Sequence, residues 1–348
     1  MALKVVIISD MATRDADGVK YFEGLKDYGC ELEVVQDMVG WTDEQQEAAF
    51  LKMEQEGPDA FEDNEDVVKA MEDADVVVSA FSAIPSKGIK NAKHLKAVCI
   101  MRSGVENINL DVANECGVKV LNAPGRLAVP VSEFTVGLIL AEIKNIARAH
   151  TLAMQGDFSS FDYVNENYWF NLKGKNVGLV GCGAVGSRVA KIMKAFEANV
   201  LVYDPYIAPE KLQAQGYTPM ELDELCKEAD VISVHFRLTP ETKGLLGKEQ
   251  FALMKPTCYL INTARAGLVD EEAMVDALEN RKIGGAALDV FHQEPIPKHY
   301  PLLKLKNVTL TSHLAGYCSD IFEITTAITV NEIETFCETG EWINVVNK

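Results

Sequence analysis

Residues 176–204 leave few choices for the fold. An apolar strand, NVGLV, runs into Gly181-Cys182-Gly183-Ala184-Val185-Gly186. A segment free of glycine and proline, SRVAKIMKAF, follows, and a second strand, NVLVYD, ends on Asp204, 23 residues after the first glycine. The Gly-x-Gly-x-x-Gly spacing alone arises by chance in many chains, but strand, glycine turn, helix, strand and acid in this order describe a dinucleotide-binding unit. The first glycine closes the tight turn, and the second lets a pyrophosphate approach the backbone. The third brings the helix close to the strand, and the helix N-terminus faces the phosphates. Gly181, Gly183, Ala184, Val185, Gly186 and Asp204 are therefore candidate cofactor residues. Asp204 can accept from both hydroxyls of the adenosine ribose and would repel a 2′-phosphate, which favours NAD over NADP.

The rest of the chain repeats the alternation of strand and helix. Buried-type apolar runs occur at LKVVIIS (3–9), ELEVV (31–35), ADVVVSA (74–80) and KAVCIM (96–101). Helix-compatible stretches lie between them at 18–28 and 65–72. A second series continues past the glycine motif through VISVH (231–235), CYLINT (258–263), GAALDV (285–290) and NVTLTS (307–312), with helices expected over 270–280 and 321–340. Residues 131–150 are apolar nearly all round, as in a helix buried on several sides. The pattern predicts an α/β protein of two Rossmann-like parallel-sheet domains with a cleft between them. The expected cofactor domain covers 121–316, and the substrate domain is formed by 1–120 and completed by 317–348.

Composition narrows the partners. With 348 residues the chain suits about two domains. A formal charge of −19 argues against nucleic acid, which needs a basic footprint. No apolar run reaches the roughly 18–20 residues of a membrane helix, and the N-terminus has no signal-peptide pattern. Eight scattered cysteines without a Cys-x-x-Cys pair suggest a reduced, cytoplasmic protein, and no ligand spacing suggests a metal. Residues 1–75 hold 21 Asp/Glu against 6 Lys/Arg, a net of −15. Lining a cleft, that charge would repel an anionic substrate, so it is expected on an outer, solvated face.

Polar residues gather where the second series ends. Arg265 follows the strand YLINTA, Asp289 ends GAALDV, Glu294 stands five residues later and His313 follows NVTLTS. α/β sheets bind ligands at the carboxyl ends of their strands, so these groups can converge. Arginine offers a fork for a carboxylate, and a histidine beside a carboxylate can exchange a proton near neutral pH.

At these residues the chain resembles the D-isomer-specific 2-hydroxyacid dehydrogenases, in a phosphoglycerate dehydrogenase-like branch. The resemblance is carried by RSGVENINLD (102–111), VGLVGCGAVG (177–186), HFRLTPETKGLL (235–246), INTARAGLVDEEAMVDAL (261–278), GAALDVFHQEP (285–295) and LTSHLAG (310–316). It implies NAD as cofactor and hydride transfer at C2 of a small anionic 2-hydroxy or 2-oxo acid: phosphoglycerate, hydroxypyruvate, glyoxylate or a sugar-derived acid. It implies Arg265, Glu294 and His313 as the catalytic set, with Thr263, Ala264 and Asp289 joining the cofactor residues and Asp289 meeting the nicotinamide carboxamide. Ser103, Gly104 and Val105 resemble the loop whose amides hold the substrate carboxylate. It also implies a homodimer through the 131–150 helix. Because the chain stops at Lys348, no appended regulatory domain is expected.

Three positions depart from the family pattern. Ala266 replaces the glycine after the catalytic arginine, Arg237 a proline, and Ser312 the proline before the catalytic histidine. None removes a reacting group. Arg102, Arg126 and Arg237 have no assigned role; Arg102 and Arg126 suit a solvated or structural place ahead of a second acidic group such as phosphate. His235 suits packing or a cofactor contact; His94, His150, His292 and His299 suit surface or structural places. The rival reading is an NAD-sensing co-repressor-like binding protein that keeps the same residues.

Overall fold

The structure, a computed structural model, describes residues 3–10, 19–158 and 169–347. Two compact units make up the chain. One is Met1–Arg126 with Cys318–Lys348, and the other is Leu127–Tyr317. Among the described residues no helix is long and apolar enough to cross a membrane.

The first unit holds a five-stranded sheet of β1 (Lys4–Ser9), β2 (Glu31–Gln36), β3 (Val76–Ser79), β4 (Ala97–Ile100) and β5 (Lys119–Asn122), ordered β2-β1-β3-β4-β5. Every pairing is parallel. Strands β1, β3 and β4 are almost wholly buried, as their Val/Ile runs require when helices cover both faces. Edge strand β2 carries Glu31 and Glu33, charges that discourage further strand pairing. The acidic stretch beyond it forms the helix Asp43–Glu56. Thr42 and Gln45 make a capping box there, and Gly57, at φ 83°, ends the helix. The expected start of the first helix, Gly18, lies outside the described residues. Its described end is a 3₁₀ turn, Glu23–Tyr28, closed by Gly29 at φ 81°.

The C-terminal segment packs into this unit. The helix Ile321–Thr339 places Ile333, Phe336 and Cys337 in the cluster that holds Leu3, Val5, Phe22 and Leu25. Buried Glu332 accepts from the Asn344 backbone and side-chain N–H groups and turns the tail back. The tail then runs antiparallel to β5, with Val345 opposite Leu121.

The second unit holds seven parallel strands: β6 (Asn176–Val180), β7 (Asn199–Tyr203), β8 (Thr218–Pro219), β9 (Val231–Val234), β10 (Tyr259–Asn262), β11 (Gly285–Leu288) and β12 (Val308–Leu310). Their order is β12-β11-β10-β9-β6-β7-β8, which reverses direction between β9 and β6, where doubly wound sheets bind nucleotides. Gly178 lets the helix Leu222–Glu228 lie against β6, since a Cβ there would meet Leu225 at 2.5 Å.

The 131–150 region differs from expectation. It is two helices, Ala128–Ile143 and Ile146–Met154, broken at Asn145, which is left-handed at φ 55°. The first packs on the helix Ala184–Ala195 and on β10, β11 and β12. The second has no buried residue, and Ile146 and Met154 are exposed. Glu142 explains the join. Its buried carboxylate takes the Arg148 guanidinium and the Thr309 hydroxyl, and that pairing fixes the second helix to the first and to β12.

Candidate active site

The glycine loop leaves β6 at Gly181, where φ is 100°, a conformation glycine adopts without strain. A Cβ at Gly186 would stand 2.2 Å from the Gly181 carbonyl oxygen, so the third glycine is required by the helix's approach to the loop. Gly183 is different, with nothing within 4 Å of where its Cβ would be. The amides of Ala184, Val185 and Gly186 open the helix Ala184–Ala195, and first-turn amides have no acceptor inside their own helix. Open space in front of unpaired donors at a helix N-terminus suits a dinucleotide pyrophosphate.

Asp204, just past β7, faces this loop and also braces it. One carboxylate oxygen accepts from Cys182 N–H (2.8 Å), the other from Tyr206 N–H (3.0 Å). Each oxygen keeps a lone pair for a ribose hydroxyl. Beneath the loop, His235 Nε2 contacts Ser233 Oγ at 3.0 Å, and desolvation of the ring lowers its pKa to about 4, leaving it neutral. Arg237 is exposed beyond it.

Strands β10, β11 and β12 are neighbours in register, Asn262 opposite Leu288 and Leu288 opposite Leu310. Arg265, Asp289 and His313 each follow within three residues of those ends, and this brings the loops together. Asn262 shapes the arginine turn, accepting from Ala264 N–H and donating to the Arg265 carbonyl, both at 3.0 Å. Arg265 itself is exposed. His313 Nδ1 lies 2.7 Å from Glu294 Oε2, while Glu294 Oε1 accepts from Phe291 N–H at 2.8 Å. Burial pushes the Glu294 carboxyl upward, but the hydrogen bonds from His313 and Phe291 and the nearby charges of His313 and Arg265 outweigh it and hold the group below its ordinary value. Glu294 is thus ionised at neutral pH, and the Arg265 charge acts on it. His313 side-chain exposure is 49%, so the ring edge turned away from Glu294 is open to a small molecule.

Three cofactor candidates spend polar groups on contacts within the chain. Asp289 is completely buried, and its carboxylate accepts from Thr311 Oγ1 (2.6 Å), Leu314 N–H (2.9 Å) and Ala315 N–H (2.8 Å). It shows no surface to a nicotinamide amide and instead ties down the turn in which His313 sits at a left-handed φ of 57°. The Thr263 hydroxyl points inward to Thr135 Oγ1 at 2.7 Å, and Ala264 spends its N–H on Asn262.

In the first unit, Ser103, Gly104 and Val105 follow β4. Asn122 Nδ2 donates to the Ser103 carbonyl at 2.6 Å and holds the loop to the end of β5. Glu106 was not singled out by the sequence, yet its carboxylate lies where a Cβ on Gly104 would be, at 2.3 Å. It reaches Arg102 at 3.4 Å. Arg102 is buried beneath Phe81, and burial together with Arg102 holds the Arg126 guanidinium below the ordinary arginine range. Strand periodicity gives no hint of Glu106, because loop side chains follow no period. Asn262 and Thr135 were legible only as polar residues in apolar runs.

Comparison with known proteins identifies the family. The family profile for D-isomer specific 2-hydroxyacid dehydrogenase, NAD binding domain, matches residues 136–315. A D-3-phosphoglycerate dehydrogenase of Methanocaldococcus jannaschii is 38% identical over 285 residues, covering 81% of this chain and 53% of that protein. The chain thus spans about half the length of that relative. A hydroxypyruvate reductase of Blautia hydrogenotrophica is 32% identical over 292 residues, covering 82% of this chain and 89% of the relative. Among solved structures, D-lactate dehydrogenase with NAD+ from Lactobacillus jensenii superposes with a TM-score of 0.76 at 26% identity, covering 99% of this chain and 100% of that one. The chain belongs to the D-isomer specific 2-hydroxyacid dehydrogenases, and residues 136–315 are its NAD-binding domain.

Proposed function

We propose that this chain is an NAD-dependent dehydrogenase acting at C2 of a small D-2-hydroxy acid or the matching 2-oxo acid. The observation that carries the reading is the His313–Glu294 pair, 2.7 Å apart, within the field of Arg265. Bound NAD supplies the nicotinamide ring that takes or gives the hydride. Glu294 holds Nδ1 and leaves Nε2 of His313 to the substrate oxygen. On oxidation His313 removes the hydroxyl proton at Nε2, and on reduction it returns one to the carbonyl oxygen. The ionised Glu294 stabilises the imidazolium that results. Arg265 grips the substrate carboxylate with its fork and polarises the C2 oxygen. Asp204 selects NAD against NADP by repelling a 2′-phosphate.

The relatives are named for phosphoglycerate, glyoxylate and hydroxypyruvate reactions, which supports a small anionic 2-hydroxy or 2-oxo acid as the substrate. The cytoplasm suits eight free thiols. A homodimer would use Ile146, Met154 and Phe158, which are exposed, in preference to the buried first half of the 131–150 region. NADH oxidation measured over glyoxylate, hydroxypyruvate, phosphohydroxypyruvate and longer sugar-derived 2-oxo acids tests the reading. Turnover of at least one acid, with NADH preferred to NADPH, supports it. No turnover of any acid by protein that still binds NADH favours the NAD-sensing alternative.

A further inference from the structure

The first unit is assembled from two segments that the whole second unit separates in sequence. Two contacts between these segments stand side by side. Cys30 Sγ lies 3.9 Å from Cys337 Sγ across 307 residues of chain, and Tyr28 Oη donates to Glu338 Oε1 at 3.2 Å. The left-handed turn at Gly29 delivers Cys30 to the start of β2, and Cys337 lies in the last turn of the helix Ile321–Thr339. Packing holds both in place. Cys30 shares an apolar cluster with Leu25 and Ile333, and Phe336, next to Cys337, stacks on Trp342 with ring centroids 4.0 Å apart. Of the other six, Cys116 is exposed and Cys318 half-buried, Cys99 and Cys182 are buried, and Cys226 and Cys258 are buried in one cluster of the second unit.

We propose that Cys30 and Cys337 form a reversible disulfide that staples the C-terminal helix to the N-terminal sheet. Sulfurs at van der Waals separation need approach by only about 2 Å to reach bonding distance, a movement within the reach of side-chain rotation. The co-reactant is a small-molecule disulfide such as oxidised glutathione. Cys337, the more exposed of the two, attacks it as the thiolate, forming a mixed disulfide and releasing one glutathione thiolate, which takes up a proton. The Cys30 thiolate then attacks the Cys337 sulfur, and the second glutathione leaves in the same way. Two protein thiols are oxidised to one disulfide, and one small disulfide is reduced to two thiols. Burial pushes the Cys337 thiol up to about 11, so the first step is slow and the pair remains reduced during brief exposure. The bond closes a very long loop, which limits the unfolded chain and stabilises the unit.

The test incubates the full-length protein with excess oxidised glutathione, blocks free thiols under denaturing conditions and digests it without reduction for mass spectrometry. The expected product is a joined pair of peptides containing Cys30 and Cys337, lighter than the sum by two hydrogen atoms and separated by dithiothreitol. Oxidation should raise the melting temperature by roughly 5–10 °C, and Cys337→Ser should remove both the link and the rise. If the serine itself alters the melting of reduced protein, Cys337→Ala makes the same comparison. Recovery of Cys30 and Cys337 as blocked thiols, with glutathione only on Cys116 or Cys318, overturns the proposal. So does a link that leaves the melting temperature unchanged.

Discussion

Both units are doubly wound parallel sheets, yet they treat the backbone amides at their carboxyl ends in opposite ways. In the first unit Asp10, just past β1, accepts from the amides of Ala80, Phe81 and Ser82 with a single carboxylate oxygen. The anion that those amides attract is thus supplied by the chain itself. In the second unit the loop after β6 keeps its own carboxylate, Asp204, to the side, and Gly183 leaves the helix mouth clear. One nest is filled from within, and the other is left for a ligand. The same contrast recurs nearby, where Glu106 covers Gly104 in the first unit while the His313 edge in the second is exposed. A shared doubly wound layout therefore says little about where a ligand sits. The units differ in how many of the loop amides an internal carboxylate takes: three by Asp10, one by Asp204.

The contrast can be broken in several places. The largest effect is expected at the glycines. Gly186→Val drives side-chain atoms into the Gly181 carbonyl and should prevent the second unit from folding, read as loss of its cooperative melt. A Cβ added at Gly183 has no atom within 4 Å, so the melting of Gly183→Val should be nearly unchanged while NADH affinity, measured by fluorescence titration, falls by about 100-fold or more. A Gly183→Val protein that binds NADH normally would show that the open space serves nothing.

Next comes the floor of the open nest. The folded pKa of His235 is about 4 against an ordinary 6.5. As pH falls between those values the unfolded chain takes up the proton and the folded one does not, so stability is lost on acidification, by about 3 kcal/mol in full. Denaturant titrations at several pH values should show this loss, and His235→Asn should flatten it. The filled nest gives a smaller change: Asp10→Ala leaves three amides without their acceptor and should cost about 1–3 kcal/mol with NADH affinity unaltered. Smallest is Asp204→Ala, for which the preference for NADH over NADPH should narrow by about tenfold.

Much of the second unit was legible in the sequence because glycine has no substitute where φ is positive or a helix must approach closely, as at Gly181 and Gly186. Short β-branched runs marked β1, β3, β4 and β9 for a similar reason, since few other structures bury such residues on both faces. Arg265 and His313 stood out as polar residues just past strand ends, and Glu294 as a carboxylate a few residues beyond β11. What stayed hidden depends on which way a side chain turns. Asp289 and Asp204 both end apolar strands, but one is sealed in and the other half open, and no periodicity distinguishes them. The break between the two helices near Asn145 was equally silent, because the Glu142 carboxylate that joins them to each other and to β12 depends on tertiary packing. The two-residue strand β8 owes its pairing to β7 and carries no signal of its own.

The central claim is that an open phosphate nest and the His313–Glu294 pair together make this chain a dehydrogenase. Its most direct test is steady-state NADH oxidation by the wild type and by His313→Ala on the best 2-oxo acid, with NADH affinity measured in parallel. The account predicts equal NADH affinity and a fall in kcat of about 10²–10⁴-fold. Wild-type turnover in the histidine variant would contradict it.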